Sequence, residues 1–246
     1  MVAGIRSLIA GTALWIVFRP KLLPLNKIKL LVAASYALTV ISFVAATKWT
    51  SAANAILLQS SAPIYIAMFG GIFLNENLKR IDVFSIVIVL LGMLCFFGDE
   101  LSLSGMRGNI LGLVSGFAFA SFILFTRKFQ NESAISMIVW GNFLAASISL
   151  PFAFGSALPS QQDWFGLLGL GIFQLALPYA LYSKAIVRVR AIDAILILLI
   201  EPVLNPIWVF LILGELPGPW AVGGGVVVLG AVTFRSFVEA RNRPPH

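Results

Sequence analysis

Residues 46–76 read ATKWTSAANAILLQSSAPIYIAMFGGIFLNE, and 139 positions later residues 185–215 read AIVRVRAIDAILILLIEPVLNPIWVFLILGE. Ala46/Ala185, Ala52/Ala191, Ala55/Ala194, Ile56/Ile195, Leu57/Leu196, Pro63/Pro202, Leu74/Leu213 and Glu76/Glu215 are identical, 8 of 31 without a gap. Matches among Ala, Ile and Leu come cheaply in an apolar chain. The proline and glutamate pairs at one shared offset do not, so they predict a duplicated unit. The two copies lead into different segments. Lys79 and Arg80 come after Glu76, whereas Leu216-Pro217-Gly218-Pro219, without a cation, comes after Glu215.

The rest of the chain explains that difference. Of 246 residues 59% are hydrophobic and 11% charged, against about 25% charged in a soluble domain. This excludes an ordinary soluble domain, and it excludes disorder, which requires low hydrophobicity. The net charge of +7 would suit nucleic acid only if the basic residues formed a patch on a folded surface. Here they punctuate apolar runs, so no nucleic-acid partner is expected. Cys95 is the single cysteine and His246, the last residue, the single histidine. No internal disulfide, metal site, cofactor or His-dependent catalysis is expected from that inventory.

A helix crossing the hydrocarbon needs about 20 mostly apolar residues. Nine stretches qualify: 1–18, 30–47, 52–74, 81–98, 108–126, 134–154, 164–183, 194–214 and 219–234. They are too long, and lack the alternation, for strands of an outer-membrane barrel. The expected fold is an all-α membrane protein with nine transmembrane helices. With loops alternating between two faces, 14 of the 17 basic residues fall on one face; Lys48 and Arg107 fall on the other, and Arg6 lies inside a span. The basic face is therefore expected to be cytoplasmic. This predicts a multi-pass protein of the cell (inner) membrane, with its C-terminus inside and Met1 outside. The first copy then ends inside and the second outside, an inverted-topology repeat of the kind common among secondary transporters. Inversion needs an odd number of spans per copy. Residues 108–237 hold five and residues 1–98 only four, with 238–246 as a cytoplasmic tail. An upstream helix, a counterpart of 108–126, is therefore expected to be encoded before Met1.

Ala62-Pro63 with Leu74-Asn75-Glu76, Glu201-Pro202 with Leu213-Gly214-Glu215, and the closing Gly223-Gly224-Gly225 and Gly230 resemble the EamA-type members of the drug/metabolite transporter superfamily. Arg6 is similar to an arginine common in that family's second helix. The resemblance implies ten helices in two inverted halves and transport of a small polar solute such as an amino acid, with export as the direction. It does not identify the solute.

An ionisable side chain at bilayer depth costs about 2.5 kcal/mol or more. Glu201 lies seven residues into its span, roughly 10 Å below the inner face. Asn205 and Trp208, four and seven residues on, share its helical face. Pro202 and Pro206 remove backbone donors there. Glu201 is thus expected to bind a substrate amine or carry a proton, unless it is a structural carboxyl bonded to a neighbouring helix. Arg6 is suited to pair with Glu201 or to receive a substrate carboxylate through its planar fork, unless it snorkels to the interface. Asp82, at the inner boundary, reads as a solvated or capping carboxylate.

Neutral polar residues gather near mid-depth. Gln174, Tyr179 and Tyr182 surround Pro178; Ser35, Thr39 and Ser42 form a stripe beside Tyr36. Gln59 precedes Pro63 by one turn, and Asn142 is central in its span. Together they predict a solute cavity between the repeats, the competing reading being interhelical hydrogen bonds worth about 0.6 kcal/mol each. Gly108, Gly112, Gly116 and Ala120 form a small-residue ridge for close helix packing. Glu76 and Glu215 read as loop-bonding helix ends. No Walker A loop is present, so nothing here predicts direct use of ATP. The leading expectation is a secondary transporter working by alternating access, surrounded by membrane lipid, with protons a candidate coupling ion and a homodimer a candidate assembly. The alternatives are a non-transporting membrane subunit or a lipid-handling membrane protein. An intramembrane enzyme would need a nucleophile–base pair that the spans lack.

Overall fold

The computed structural model describes residues 1–101, 104–153, 159–214, 216 and 218–241. Among these residues the chain is all helical, with no strand. In chain order the helices are α1 (Val2–Phe18), α2 (Lys27–Trp49), α3 (Ala52–Gln59), α4 (Ala62–Leu74), α5 (Arg80–Phe96), α6 (Met106–Lys128), α7 (Ala134–Ser149), α8 (Gln161–Gly169), α9 (Leu177–Ala185), α10 (Ala191–Leu198), α11 (Ile200–Leu213) and α12 (Pro219–Arg241). A 3-10 turn over Pro151–Ala153 comes after α7, and a π-helix over Leu170–Ala176 joins α8 to α9. Among the described residues five segments are long and apolar enough to cross a bilayer: Lys27–Trp49, Ala52–Leu74, Met106–Lys128, Asp163–Ala185 and Pro219–Arg241. Val2–Phe18 and Ala134–Ser149 are apolar but shorter.

Local chemistry sets several of the boundaries. Asn26, Ser51, Ser133 and Ser160 cap α2, α3, α7 and α8, each accepting a bond from a backbone N–H of the first turn, which satisfies a donor that the helix itself leaves unpaired. Asn75 ends α4 in the left-handed conformation, φ 55°, which a short polar side chain tolerates better than most.

Three expected spans are interrupted. The stretch 52–74 breaks at Ser60–Ser61, before Pro63, and 194–214 breaks at Leu199, before Pro202. In each case proline lacks an N–H and crowds the carbonyl four residues back, Gln59 or Leu198. The third, 164–183, widens into the π-helix before Pro178. The repeat is visible in the bounds themselves. Ala52–Gln59 and Ala191–Leu198 are both eight residues long, and both lead through a short break to helices that end at Leu74 and Leu213.

Tyr36, Phe122, Met93, Ile123, Met137 and Ile138 are fully buried and centre the core. The small-residue ridge of α6 does what its spacing predicts. A Cβ on Gly116 would lie 2.8 Å from Ser61 Oγ and 3.0 Å from the Gln59 carbonyl, so glycine there lets α6 ride directly on the α3–α4 break. Large apolar side chains such as Ile72, Phe173, Leu181 and Val226 point outward and are exposed.

Candidate functional site

The α3–α4 and α10–α11 breaks face a shared cavity of about 150 Å³. That is smaller than the roughly 300–1,000 Å³ of drug-sized pockets, and it suits a small solute. Its walls come from both halves of the chain. Arg6 of α1, Thr39 and Phe43 of α2, Gln59 of α3 and Ser60 of the break after it meet Phe119 of α6, Gln174 of the π-helix, Tyr179 and Tyr182 of α9, and Glu201 and Pro202 of α11. Six residues expected at a solute site are therefore brought together: Arg6, Gln59, Gln174, Tyr179, Tyr182 and Glu201.

The π-helix positions Gln174. A Cβ on Gly171 would fall 2.6 Å from Ile9 Cγ2 and 3.1 Å from the Arg6 carbonyl, so the π-helix lies against α1 only because residue 171 has no side chain. One turn further, Arg6 Nη1 donates to Gln174 Oε1 at 3.2 Å. Arg6 is only 8% exposed, and its Nε has no hydrogen-bond partner. Glu201 is exposed at the cavity wall. The expected Arg6–Glu201 pairing is not made: both line the cavity, yet no ion pair among the described residues joins them.

Tyr36 and Asn142 sit outside the lining. Tyr36 Oη donates to Asn142 Oδ1 at 3.1 Å and Asn142 Nδ2 to the Ile138 carbonyl at 3.0 Å, both residues fully buried. Tyr36 still supports the site, because its ring meets Tyr179 edge-on at 4.9 Å. Of the α2 stripe only Thr39 lines the cavity; Ser35 and Ser42 donate to carbonyls of their own helix. Asn205 and Trp208 fall on α11, and their side chains lie outside the described residues, as does Glu215.

Ser115 lies behind the cavity lining, supports Gln59, and is missed by sequence reasoning. It is fully buried on α6, accepts from Gln59 Nε2 at 2.6 Å and donates to the Thr39 carbonyl at 3.1 Å. Its only signal is a hydroxyl inside a ridge of glycines.

A second polar assembly ties the halves together at the end where Arg235 lies. Asp82 does cap its helix, accepting from the Lys79 N–H at 2.9 Å. It is fully buried rather than solvated. Arg235 donates to it through Nε at 3.1 Å and Nη2 at 2.7 Å, and Arg190 donates through Nη2 at 2.9 Å. Arg235 also pairs with Asp193. Because α12 continues as far as Arg241, it carries Arg235 into this cluster. Glu76 accepts from Arg127 at 3.2 Å and from the Ala191 N–H at 2.9 Å, so it caps α10 from the other half of the chain. Lys29–Glu132 and Lys79–Glu239 add two more links. Five of the six ion pairs among the described residues join α1–α5 and their flanks to α6–α12 and theirs. At the opposite end corresponding links are neutral: Thr50 Oγ1 donates to Asn109 Oδ1 at 2.7 Å, and Asn54 Nδ2 donates to the same oxygen at 3.2 Å.

The sequence profile of the EamA-like transporter family matches residues 1–98 and 106–237. Among curated relatives, the uncharacterized transporter YdfC of Bacillus subtilis is 28% identical over 76% of this chain and 63% of its own length. The threonine/homoserine exporter RhtA of Escherichia coli K12 is 25% identical over 74% of this chain and 60% of its own length. The match thus spans less than two thirds of either relative. A crystal structure of another protein superposes with a TM-score of 0.84 over 98% of this chain and 88% of that one, at 14% identity, which shows a shared fold.

Proposed function

The chain belongs to the EamA-like transporter family, and from that premise we propose that it is a secondary exporter of a small zwitterionic metabolite of the amino-acid class, working by alternating access. The observation that carries this reading is the cavity between the two halves, where a buried guanidinium and a carboxylate line one space without pairing to each other. Arg6 donates charge-assisted hydrogen bonds to the solute carboxylate, and Glu201 accepts from the ammonium. The amino-acid class is supported by the exporter relatives RhtA, whose substrates are threonine and homoserine. In this reading nine helices cross the cell membrane in two inverted sets, lipid covers the exposed apolar side chains, and the basic end faces the cytoplasm. The Asp82 cluster closes that end while the cavity communicates with the other side, and it parts when the cavity loads from the cytoplasm. Glu201 is the group through which a proton would couple to solute movement.

The test is amino-acid flux in proteoliposomes under an imposed pH gradient, comparing the wild-type chain with Glu201→Gln. Flux through the variant should fall at least ten-fold and lose its dependence on the gradient. An unchanged flux and pH profile would remove Glu201 from the mechanism.

A further inference from the structure

Two amides in the cavity have their orientation fixed by their neighbours, and this gives the cavity a polarity that charge alone does not. A serine hydroxyl has a single proton to donate. The Ser115 proton goes to the Thr39 carbonyl at 3.1 Å, so toward Gln59 the hydroxyl can only accept. The 2.6 Å contact must then be Gln59 Nε2 donating one of its two protons, which leaves Oε1, the amide's one acceptor, unspent on Ser115 in a residue that lines the cavity. Gln174 is oriented the opposite way. Arg6 has only donors and spends Nη1 on Gln174 Oε1, so Gln174 offers its NH2 group. The lining therefore offers donors from Arg6 and Gln174 and acceptors from Glu201 and Gln59. A zwitterion's carboxylate and ammonium occupy Arg6 with Gln174 and Glu201 respectively, and the Gln59 carbonyl oxygen remains over as an acceptor.

We propose that Gln59 is the specificity-determining residue of the cavity, accepting a hydrogen bond from a hydroxyl on the solute side chain, and that Ser115 is the positioning residue that holds its amide in that sense. The proposal rests on the transport reading. Its physical basis is the unequal cost of a mismatch: a site with an acceptor aimed at a hydroxyl disfavours the isosteric solute that leaves the acceptor unpaired.

Threonine and valine differ at that one group, and their uptake into proteoliposomes provides the test. The wild-type chain should prefer threonine. Gln59→Leu and Ser115→Ala should each lower the threonine-to-valine ratio of Vmax/KM about five-fold, the worth of one hydrogen bond, through the KM for threonine. Ser115→Thr, which keeps the hydroxyl, should keep the ratio. A purely structural role for Ser115 would lower uptake of both solutes together and leave the ratio where it was, and that result overturns the proposal while saturable threonine uptake by the wild type leaves the transport reading standing. If Ser115→Ala does not fold, the Gln59→Leu ratio decides. A wild-type chain with no saturable flux of either solute overturns both.

Discussion

Arg6 is a buried cation whose only hydrogen-bond partner among the described residues is an amide oxygen. In the proposed transport reading that charge takes an anion that arrives with the solute. Arg6→Gln should therefore raise the KM for an amino acid by about ten-fold or more, given roughly 1.5–3 kcal/mol for a hydrogen bond to a charged group. It should leave the KM for the corresponding decarboxylated amine unchanged, and competition uptake with the two solutes measures the difference. Arg6 and Glu201 are legible in the sequence because an ionisable residue inside an apolar run needs a reason to be there. That they line one space rather than pair is not legible, since the separation depends on how far α1 and α11 stand apart. Tyr36 and Asn142 carry the same lesson. Both are visible as polar groups at mid-depth, but whether each points into the cavity or toward the other is set by helix rotation, which the sequence does not report.

Three elements meet at Asp82, whose carboxylate receives Arg190 from the start of α10 and Arg235 from α12 while capping α5. Removing one member of a buried ionic group leaves the others unpaired, at about 3–5 kcal/mol. Asp82→Ala, which leaves two guanidiniums adjacent, should destabilise the protein by about 3 kcal/mol in detergent unfolding. Asn54→Ala, in the neutral counterpart cluster, should cost about 1 kcal/mol. The π-helix makes a different demand on packing. Gly171→Ala places a methyl against Ile9 and should cost about 1–3 kcal/mol as an overpacked contact. It should also weaken amino-acid uptake by moving Gln174 off Arg6, which the same flux assay reads. The helices themselves are legible from apolar length, whereas 52–74 and 194–214 read as continuous spans and their breaks before Pro63 and Pro202 come from the structure. The burial of Asp82 is not legible either, because its arginine partners stand 108 and 153 residues away and a carboxylate at a helix start looks the same whether water or guanidinium surrounds it.

For the whole molecule, the offset of 139 residues is legible in sequence and recurs in the helix bounds. Inversion makes a sharper demand: the segment after α4 and the segment after α11 must open on opposite sides of the bilayer. In a Cys95→Ser background, a cysteine at Asn77 should react with an impermeant maleimide only from the cytoplasmic side and one at Gly218 only from outside. Labelling of both from one side would reject the inverted arrangement and, with it, a cavity that alternates between faces.

Salt distinguishes the two ends. Parting the cluster around Asp82 bares the charged groups of Asp82, Asp193, Arg190 and Arg235, which dissolved ions then surround, whereas parting Thr50, Asn54 and Asn109 bares only dipoles. In the proposed alternating-access reading, raising the ionic strength on the Arg235 side should therefore lower the work of opening that end, and the link of Thr50 and Asn54 to Asn109 should respond less to the same salt on the far side. A difference in electrolyte between two compartments would then become a bias in which way the cavity faces in that reading, with no ion needing to ride along.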